Sequence, residues 1–263
     1  MRAMLLAFAL CLSAAASAQS ELVGEGQFPQ TRTLSALPGG VIGVLPDGTP
    51  SFRGASALST PIAFSLSNWH YAFALGTTSA TALPRFFERD KTGEFNDANS
   101  TAYGMVGIPS RFGSFTVSLM LISRLLKETT INVQWTPSGQ RGPVTVGYGV
   151  QDLWNTSGTH VPFESRSATS HFVVATAKLP RGGYASLGTG TQRFNGVFGN
   201  VSLPVAERWK AIAEYDTYNW NGGVAYDMGR LSNPLAPRRP MEATAFFGYV
   251  RGKYATWTVG VSF

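Results

Sequence analysis

The chain has 263 residues, of which 44% are hydrophobic, 12% aromatic and only 14% charged. An average soluble domain carries roughly 25% charged residues, whereas this sequence combines low charge with a mean hydropathy near zero, +0.01. That balance argues against a helical membrane protein and is typical of strands that face lipid on one side and water on the other. The net charge of +6 would be compatible with nucleic-acid binding, but the N-terminal sequence predicts export of the chain and so argues against that function.

Residues 1–18 predict a cleaved signal peptide. Arg2 supplies the positive start, an apolar run follows, and Ala16-Ser17-Ala18 forms a small-residue cleavage site. We therefore expect cleavage after Ala18 and export of the mature chain, which removes nucleic acid as a partner. Cys11 is the single cysteine and lies inside the signal, so no disulfide, thiol catalyst or thiolate metal site is expected.

Residues 19–68 have no clear period. The stretch is rich in Gly, Pro, Ser and Thr and contains only short apolar runs. Three interpretations remain open: a plug inside a barrel lumen, an additional hairpin, or an arm in the periplasm. We take residues 69–263 as the barrel itself.

From residue 69 onwards, apolar side chains recur at every second position, as they do in half-buried strands. The clearest strands are predicted at 130–136, 143–151, 170–179, 209–216, 220–228, 242–250 and 254–263, and weaker ones at 69–77, 102–109, 115–122, 183–192 and 194–201. Twelve strands, or fourteen with an additional hairpin, predict an all-β, transmembrane antiparallel barrel of the bacterial outer-membrane type, which requires an even strand number.

The connections alternate in length, as they do in outer-membrane barrels. Counting back from a periplasmic C-terminus places two long polar loops outside the cell, 78–101 and 154–168, and short turns near 110–114, 137–142 and 180–182 in the periplasm. The stretch 230–240 fits poorly, because it is long and yet falls on the periplasmic side. Either the register is wrong by one hairpin there, or this turn is unusual.

The last strand carries an apolar face that includes Trp257, Val259, Val261 and Phe263. Its length of ten residues is that of a strand crossing a bilayer at a tilt. A terminal strand of this kind, ending in phenylalanine, resembles the one by which bacterial outer-membrane barrels are recognised for insertion. We predict these four residues as the assembly signal.

Inward positions of the predicted strands and their ends carry several charged residues. We predict seven lumen-lining residues: Asp152, Lys178, Arg193, Lys210, Glu214, Asp216 and Asp227. Their acids and bases can pair and tie the wall together, because buried charges persist only when they are paired or hydrated. They can also form a selectivity lining or a polar track for a solute.

An enzyme is not predicted. Barrel lipases place serine two positions from histidine on one lipid-facing strand, but no serine stands two positions before or after His70, His160 or His171. The sequence also lacks GxxxxGK[ST], CxxC and HExxH patterns. We therefore expect no catalytic residues, no metal site and no cofactor.

Four segments resemble the barrel of YjbH-like outer-membrane proteins, which are associated with exopolysaccharide biosynthesis. They read GYGVQDLWNTSG (147–158), FVVATAKLP (172–180), SLGTGTQRFNGVFGNVSLPV (186–205) and AEYDTYNWNGGVAYDM (213–228). The matching positions are Asp152, Lys178, Arg193 to Gly196, Glu214 to Asp216, and Asn221. The resemblance implies a single barrel with a role linked to polysaccharide.

The leading hypothesis is a non-enzymatic transport or secretion-accessory barrel for extracellular polysaccharide, located in the bacterial outer membrane. A structural or adhesive barrel and a lipid-modifying enzyme remain as alternatives. The expected partners are outer-membrane lipid and lipopolysaccharide, the barrel-assembly machinery, and polysaccharide.

Overall fold

The structure is a computed structural model that describes residues 35–78, 100–122, 129–154, 169–217, 219–233, 240–250 and 254–263. The predicted signal peptide, residues 1–18, and the first part of the segment 19–68 lie outside the described residues. Within those ranges, no helix has the length and apolar character needed to cross a membrane.

Twelve antiparallel strands form one closed barrel, in which each strand pairs with its neighbours in the sequence and β1 pairs with β12. This confirms the predicted fold class and strand number. The strands are β1 Tyr71–Thr78, β2 Ser100–Ser110, β3 Gly113–Ile122, β4 Thr129–Pro137, β5 Val144–Gln151, β6 Ser170–Lys178, β7 Tyr184–Gly190, β8 Gly196–Ala206, β9 Trp209–Tyr215, β10 Trp220–Leu231, β11 Met241–Val250 and β12 Tyr254–Ser262.

Side chains alternate between the two faces of the wall, as the period of two requires. On β12, Thr256, Thr258 and Ser262 are buried towards the lumen, whereas Val259 on the opposite face is exposed. Large apolar side chains are exposed around the whole outer surface, including Phe73, Leu119, Val146, Val173, Leu187, Leu203, Val224 and Phe247. Such a band can be stable only against lipid.

The seam of the barrel joins the first and last strands. Phe263 exchanges backbone hydrogen bonds with Tyr71, and its ring stacks on Tyr71 and Phe73 with centroids 5.6 and 6.2 Å away. Together with Trp257, Val259 and Val261, it stands on the outer face of β12. Since the ladder closes here, no edge strand remains with unpaired backbone groups.

The two ends of the barrel differ. We call the end at Phe263 the C-terminal rim; its turns are 111–112, 138–143, 179–183, 207–208 and 232–240. The opposite end, the distal rim, has the connections 79–99, 123–128, 152–169, 191–195, 216–219 and 251–253. The two loops predicted to be extracellular, 78–101 and 154–168, join strand ends at the distal rim, but most of their residues lie outside the described ranges.

The poorly fitting stretch 230–240 has a simple explanation. β10 continues to Leu231 past a bulge between Asp227 and Gly229, and the connection 232–240 belongs to the C-terminal rim. The predicted register was therefore right, and this turn is longer than the other turns at that rim.

Candidate functional site: the filled lumen

Residues 35–67, the lumen segment, run inside the barrel and form none of its wall strands. The segment starts in the distal half, where the Ala36 carbonyl accepts from Asn132 at 3.3 Å. It reaches the C-terminal rim at Phe52, whose N–H donates to Glu242, and returns to the distal half at Ser59. It then descends again to β1, so the chain crosses the lumen three times.

The lumen segment has no helix and only isolated β-bridges. Backbone hydrogen bonds within the segment, such as those between Val44 and Ala55, satisfy part of its polar groups, and further groups need partners from elsewhere. The wall supplies them through short polar side chains that face inward. These side chains are Thr116, Ser118, Asn132, Gln134, Thr136, Gln151, Thr176, Asn200 and Ser202. Each of them makes at least one hydrogen bond to a backbone group of the segment.

Glu214 on β9 is the most heavily bonded of the predicted lumen residues. Its carboxylate accepts hydrogen bonds from the backbone N–H groups of Leu58 at 2.8 Å and Ser59 at 3.0 Å. The Ser59 and Thr60 hydroxyls donate to it at 2.6 and 2.9 Å, and Asn221 on β10 donates at 2.9 Å. The side chain is 1% exposed, so these donors replace the water that a buried carboxylate loses.

Lys210 lies four positions earlier on the same inward face of β9, near the C-terminal rim. Its ammonium donates to the carbonyls of Phe52 and Gly54, the latter at 2.7 Å, and to the Ser56 hydroxyl at 3.0 Å. The ammonium also lies 4.8 Å from the centre of the Phe52 ring. β9 therefore holds residues 52–60 with a cation at one end and an anion at the other.

Arg193 enters the lumen from the distal rim. It belongs to a 3-10 helix, Gln192–Phe194, in the connection between β7 and β8. Its guanidinium donates to the Ser59 carbonyl at 2.9 Å and to Gln151 at 2.8 Å, and the residue is fully buried. Through these bonds, Arg193 links the lumen segment to β5.

The remaining buried acids brace the distal rim. Asp152 follows β5 with a left-handed φ of 58°; its carboxylate accepts from Thr130 at 2.6 Å. Asp216, in the turn after β9, accepts from Asn221 at 2.9 Å and from the Asn219 N–H at 2.8 Å. Burial raises the pKa of the Asp216 carboxyl, and these two hydrogen bonds lower it.

The last two predicted lumen residues lie at the C-terminal rim, and the structure records no hydrogen bond from either side chain to the lumen segment. Asp227 accepts from the Gly229 N–H at 2.8 Å and so closes the bulge of β10. Lys178 ends the inward face of β6 and is exposed. Of the seven predicted residues, Glu214, Lys210 and Arg193 contact the segment directly.

A second group of wall residues, all uncharged, holds the start of the lumen segment. Tyr103 donates to the Gly40 carbonyl and Ser118 to the Ala36 carbonyl, while Gln151 donates to the Ser35 carbonyl at 2.7 Å. The sequence prediction considered only charged inward residues and missed these. The period of two, which places Asn132 and Gln134 on the inward face of β4, carried the signal that could have found them.

Apolar side chains fill the rest of the lumen. Leu58, Ile62 and Leu66 are completely buried, and so is Phe246 on β11. The Phe64 ring meets the Tyr184 ring edge-on at 5.8 Å. The wall leaves room at Gly107, where an added Cβ would lie 2.5 Å from the Leu66 carbonyl carbon. The segment and the wall thus share one packed core.

The two histidines that the structure describes lie outside this core. His171 stands on the outer face of β6, where its Nδ1 and the Tyr148 hydroxyl are 2.6 Å apart. His70 precedes β1 and bonds to the Ser67 carbonyl at 2.8 Å; His160 lies outside the described residues. In the described ranges, no three histidine, cysteine, aspartate or glutamate side chains converge as a metal site.

No protein-family model and no curated protein matches the chain. Among solved structures, it is similar to a KdgM porin, at 9% identity and a TM-score of 0.46 over 74% of this chain and 98% of that one. It is also similar to a KdgM porin in complex with disordered oligogalacturonate, at 8% identity, the same TM-score and the same coverage. At these values the likeness adds nothing to the contacts described above.

Proposed function

We propose that this protein is a non-enzymatic transport or secretion-accessory barrel of the bacterial outer membrane, closed at rest by its lumen segment. One observation carries the proposal: the inward face of the wall is polar around most of the barrel. Thr101, Thr116, Thr130, Gln151, Ser170, Ser186, Asn200, Asn221, Thr244 and Thr258 are buried inward-facing residues. If the segment moved out, water could wet this wall, so a polar passage would remain.

The solute class that we propose is extracellular polysaccharide. Its support is the resemblance of four segments to YjbH-like proteins, and that resemblance remains a prediction. Hydroxyl and amide side chains on the wall offer both donors and acceptors, which suit the hydroxyl groups of sugars. Outer-membrane lipid, lipopolysaccharide and the barrel-assembly machinery are the partners that such a barrel would need.

A structural or adhesive barrel is the second candidate function. The observation that favours it is the apolar part of the lumen core, in which Leu58, Ile62 and Phe64 pack against the wall. Displacing these side chains costs about 1.5–3 kcal/mol each when they become exposed to water. A core that never opens would leave the function to the distal connections.

A disulfide lock separates the two candidates. The Ser202 hydroxyl lies 3.2 Å from the Ser56 N–H nitrogen, so cysteines at 56 and 202 are within reach of a bond, and Cys11 is the only natural cysteine. We would measure ion current through the mature Ser56→Cys/Ser202→Cys variant in a planar bilayer, oxidised and reduced. We expect openings in the reduced form and none in the oxidised form.

The matched control bridges two wall strands without touching the segment. Ala175 on β6 pairs with Leu187 on β7 on the outer face, so Ala175→Cys/Leu187→Cys should conduct equally in both redox states. A variant lacking residues 35–67 should conduct continuously. If this last variant formed a folded barrel and yet passed no ion current, the transport function would be refuted and the structural one favoured.

A further inference from the structure

The net positive charge of the protein is concentrated at one end of the barrel. The five turns of the C-terminal rim contain six arginines and a single acid, Glu207. The six connections of the distal rim contain nine lysines and arginines and eight acids. The distal rim is therefore almost balanced in charge, whereas the C-terminal rim has a strong excess of guanidinium groups.

The four of these arginines that the structure describes surround the mouth. Arg111, Arg141, Arg181 and Arg208 each occupy a different turn, and all four are exposed. Arg230 is the next-to-last residue of β10; its side chain is 74% exposed and its Nε lies 3.9 Å from the Glu242 carboxylate. The acids that face this mouth are Asp47, Glu207, Asp227 and Glu242, and all of them except Glu207 are recorded as accepting hydrogen bonds from backbone N–H groups.

Two further cations lie inside the circle. Arg53 belongs to the lumen segment and is exposed, although the carbonyls of Phe52 and Gly54 on either side are bonded to Lys210. Lys178 faces inward at the end of β6. Both are separated from the surrounding bilayer by the wall, so lipid headgroups do not account for them.

Lys178 lines a cavity of about 390 Å³ between the lumen segment and two arginine-bearing turns. Pro46 and Phe64 of the segment form one side, and Pro143 and Pro180 of the turns form the other. Small-molecule sites have volumes of roughly 300–1,000 Å³ and combine apolar walls with a few polar groups. The cavity has that character, and its single charged lining group is the Lys178 ammonium.

We propose that the C-terminal mouth binds an acidic polysaccharide, with one carboxylated sugar in the Lys178 cavity. The apolar face of the sugar ring packs on Phe64 and the prolines, and its carboxylate pairs with Lys178. Arg141 and Arg181, in the two adjacent turns, bind carboxylates of the neighbouring sugars. This inference rests on the proposed transport function, since it names the class of solute presented to the barrel.

Arg111 and Arg208 are less suitable for a test. Their guanidinium groups lie 4.5 Å from the Phe112 ring and 5.0 Å from the Tyr226 ring, and Tyr226 is on the outer face of β10. Lipid phosphates can reach both of them. The test therefore uses Arg141, Lys178 and Arg181, which border the cavity.

The experiment measures binding to the intact mature protein in a zwitterionic detergent by titration calorimetry. The probes are an oligomer of a linked uronic acid and a neutral glucose oligomer of equal length. We expect the uronic-acid oligomer to bind and the neutral one not to. Changing Arg141, Lys178 and Arg181 to glutamine should weaken binding about tenfold or more, at roughly two- to fivefold for each exposed cation, and high salt should weaken it further.

The control variant, Arg251→Gln/Lys253→Gln, removes two cations from the sequence between β11 and β12 and should bind as the unaltered protein does. Equal loss in both variants would overturn the proposal, because general charge attraction would then suffice. Equally tight binding of polyglutamate would overturn it in favour of an acidic protein partner. Binding only to vesicles containing phosphatidylglycerol would overturn it in favour of lipid. None of these binding results changes the outcome of the disulfide-lock experiment. The transport function and the binding of an acidic polysaccharide can therefore be refuted independently of each other.

Discussion

The lumen segment is held by two regions of wall that differ in kind. Residues 52–60 lie against β8, β9 and β10, where Lys210 and Glu214 bind them through charge-assisted hydrogen bonds. Residues 35–40 lie against β2 to β5, where Tyr103, Ser118 and Asn132 bind them through neutral groups. Hydrogen bonds to charged groups contribute about 1.5–3 kcal/mol each and neutral ones about 0.5–1.5. We therefore expect the segment to loosen first at residues 35–40.

The largest effect should come from Glu214→Ala. The change leaves three consecutive backbone N–H groups and two hydroxyls without their shared acceptor. We expect it to lower the free energy of unfolding by about 3–5 kcal/mol, because each buried donor left without a partner costs about 1–3 kcal/mol. Urea unfolding of the refolded barrel measures the loss. Glu214→Gln keeps one oxygen in place and should lose less; an unchanged stability of this variant would show that the carboxylate charge is not what holds the segment.

Lys210→Met should rank second, at about 2–3 kcal/mol, because two carbonyls lose their buried donor while the side chain keeps its length. The same urea titration applies. Lys178→Met is the matched control, since Lys178 is also an inward-facing lysine but is exposed, and it should stay within about 0.5 kcal/mol. If the two lysine variants proved equally unstable, the anchoring role of Lys210 would be wrong.

Asn132→Ala tests the neutral region and should cost about 1 kcal/mol. The more informative measurement is the local exposure of the lumen segment at two positions. Cysteines introduced singly at Ala36 and Ser56 report exposure through their labelling rates with a maleimide. We expect Asn132→Ala to speed labelling at 36 and to leave the rate at 56 unchanged. Faster labelling at both positions would mean that the segment moves as one body and that the two regions are not independent.

His171→Phe lies outside both regions and should have the smallest effect, within about 0.5 kcal/mol. The ring sits on the outer face beside Tyr148 and does not contact the segment. Neither the unfolding midpoint nor the labelling rates should change. Specific loss of a lipid-modifying activity in this variant, with the barrel intact, would instead support the enzyme alternative.

The wall could be predicted from the sequence because the strands alternate between apolar residues that face lipid and small or polar residues that face the lumen. That pattern was enough to find all twelve strands and to predict that Glu214 and Lys210 face the lumen. It could not distinguish Lys210 from Lys178, since both are lysines on inward faces. Only the position along the barrel, against the segment or at the rim, makes one buried and the other exposed.

The lumen segment could not be predicted in the same way. Residues 35–67 have no regular secondary structure, so no period marks them, and their partners on the wall are far away in the chain. Leu58 is bonded to a carboxylate 156 positions later, and Gly40 to a hydroxyl 63 positions later. The open choice between plug, hairpin and arm reflects this absence of local signal.

The position of the lumen segment has a consequence for how the protein folds. Phe52 bonds to Glu242, 190 positions later, and β1, directly after the segment, pairs with the last strand. Contacts this distant in sequence form slowly, because a long loop must close before they contribute. Residues 52–60 and β1 therefore cannot reach their final places until the last strands exist, and completing the filling of the lumen and closing the seam become one late, shared step.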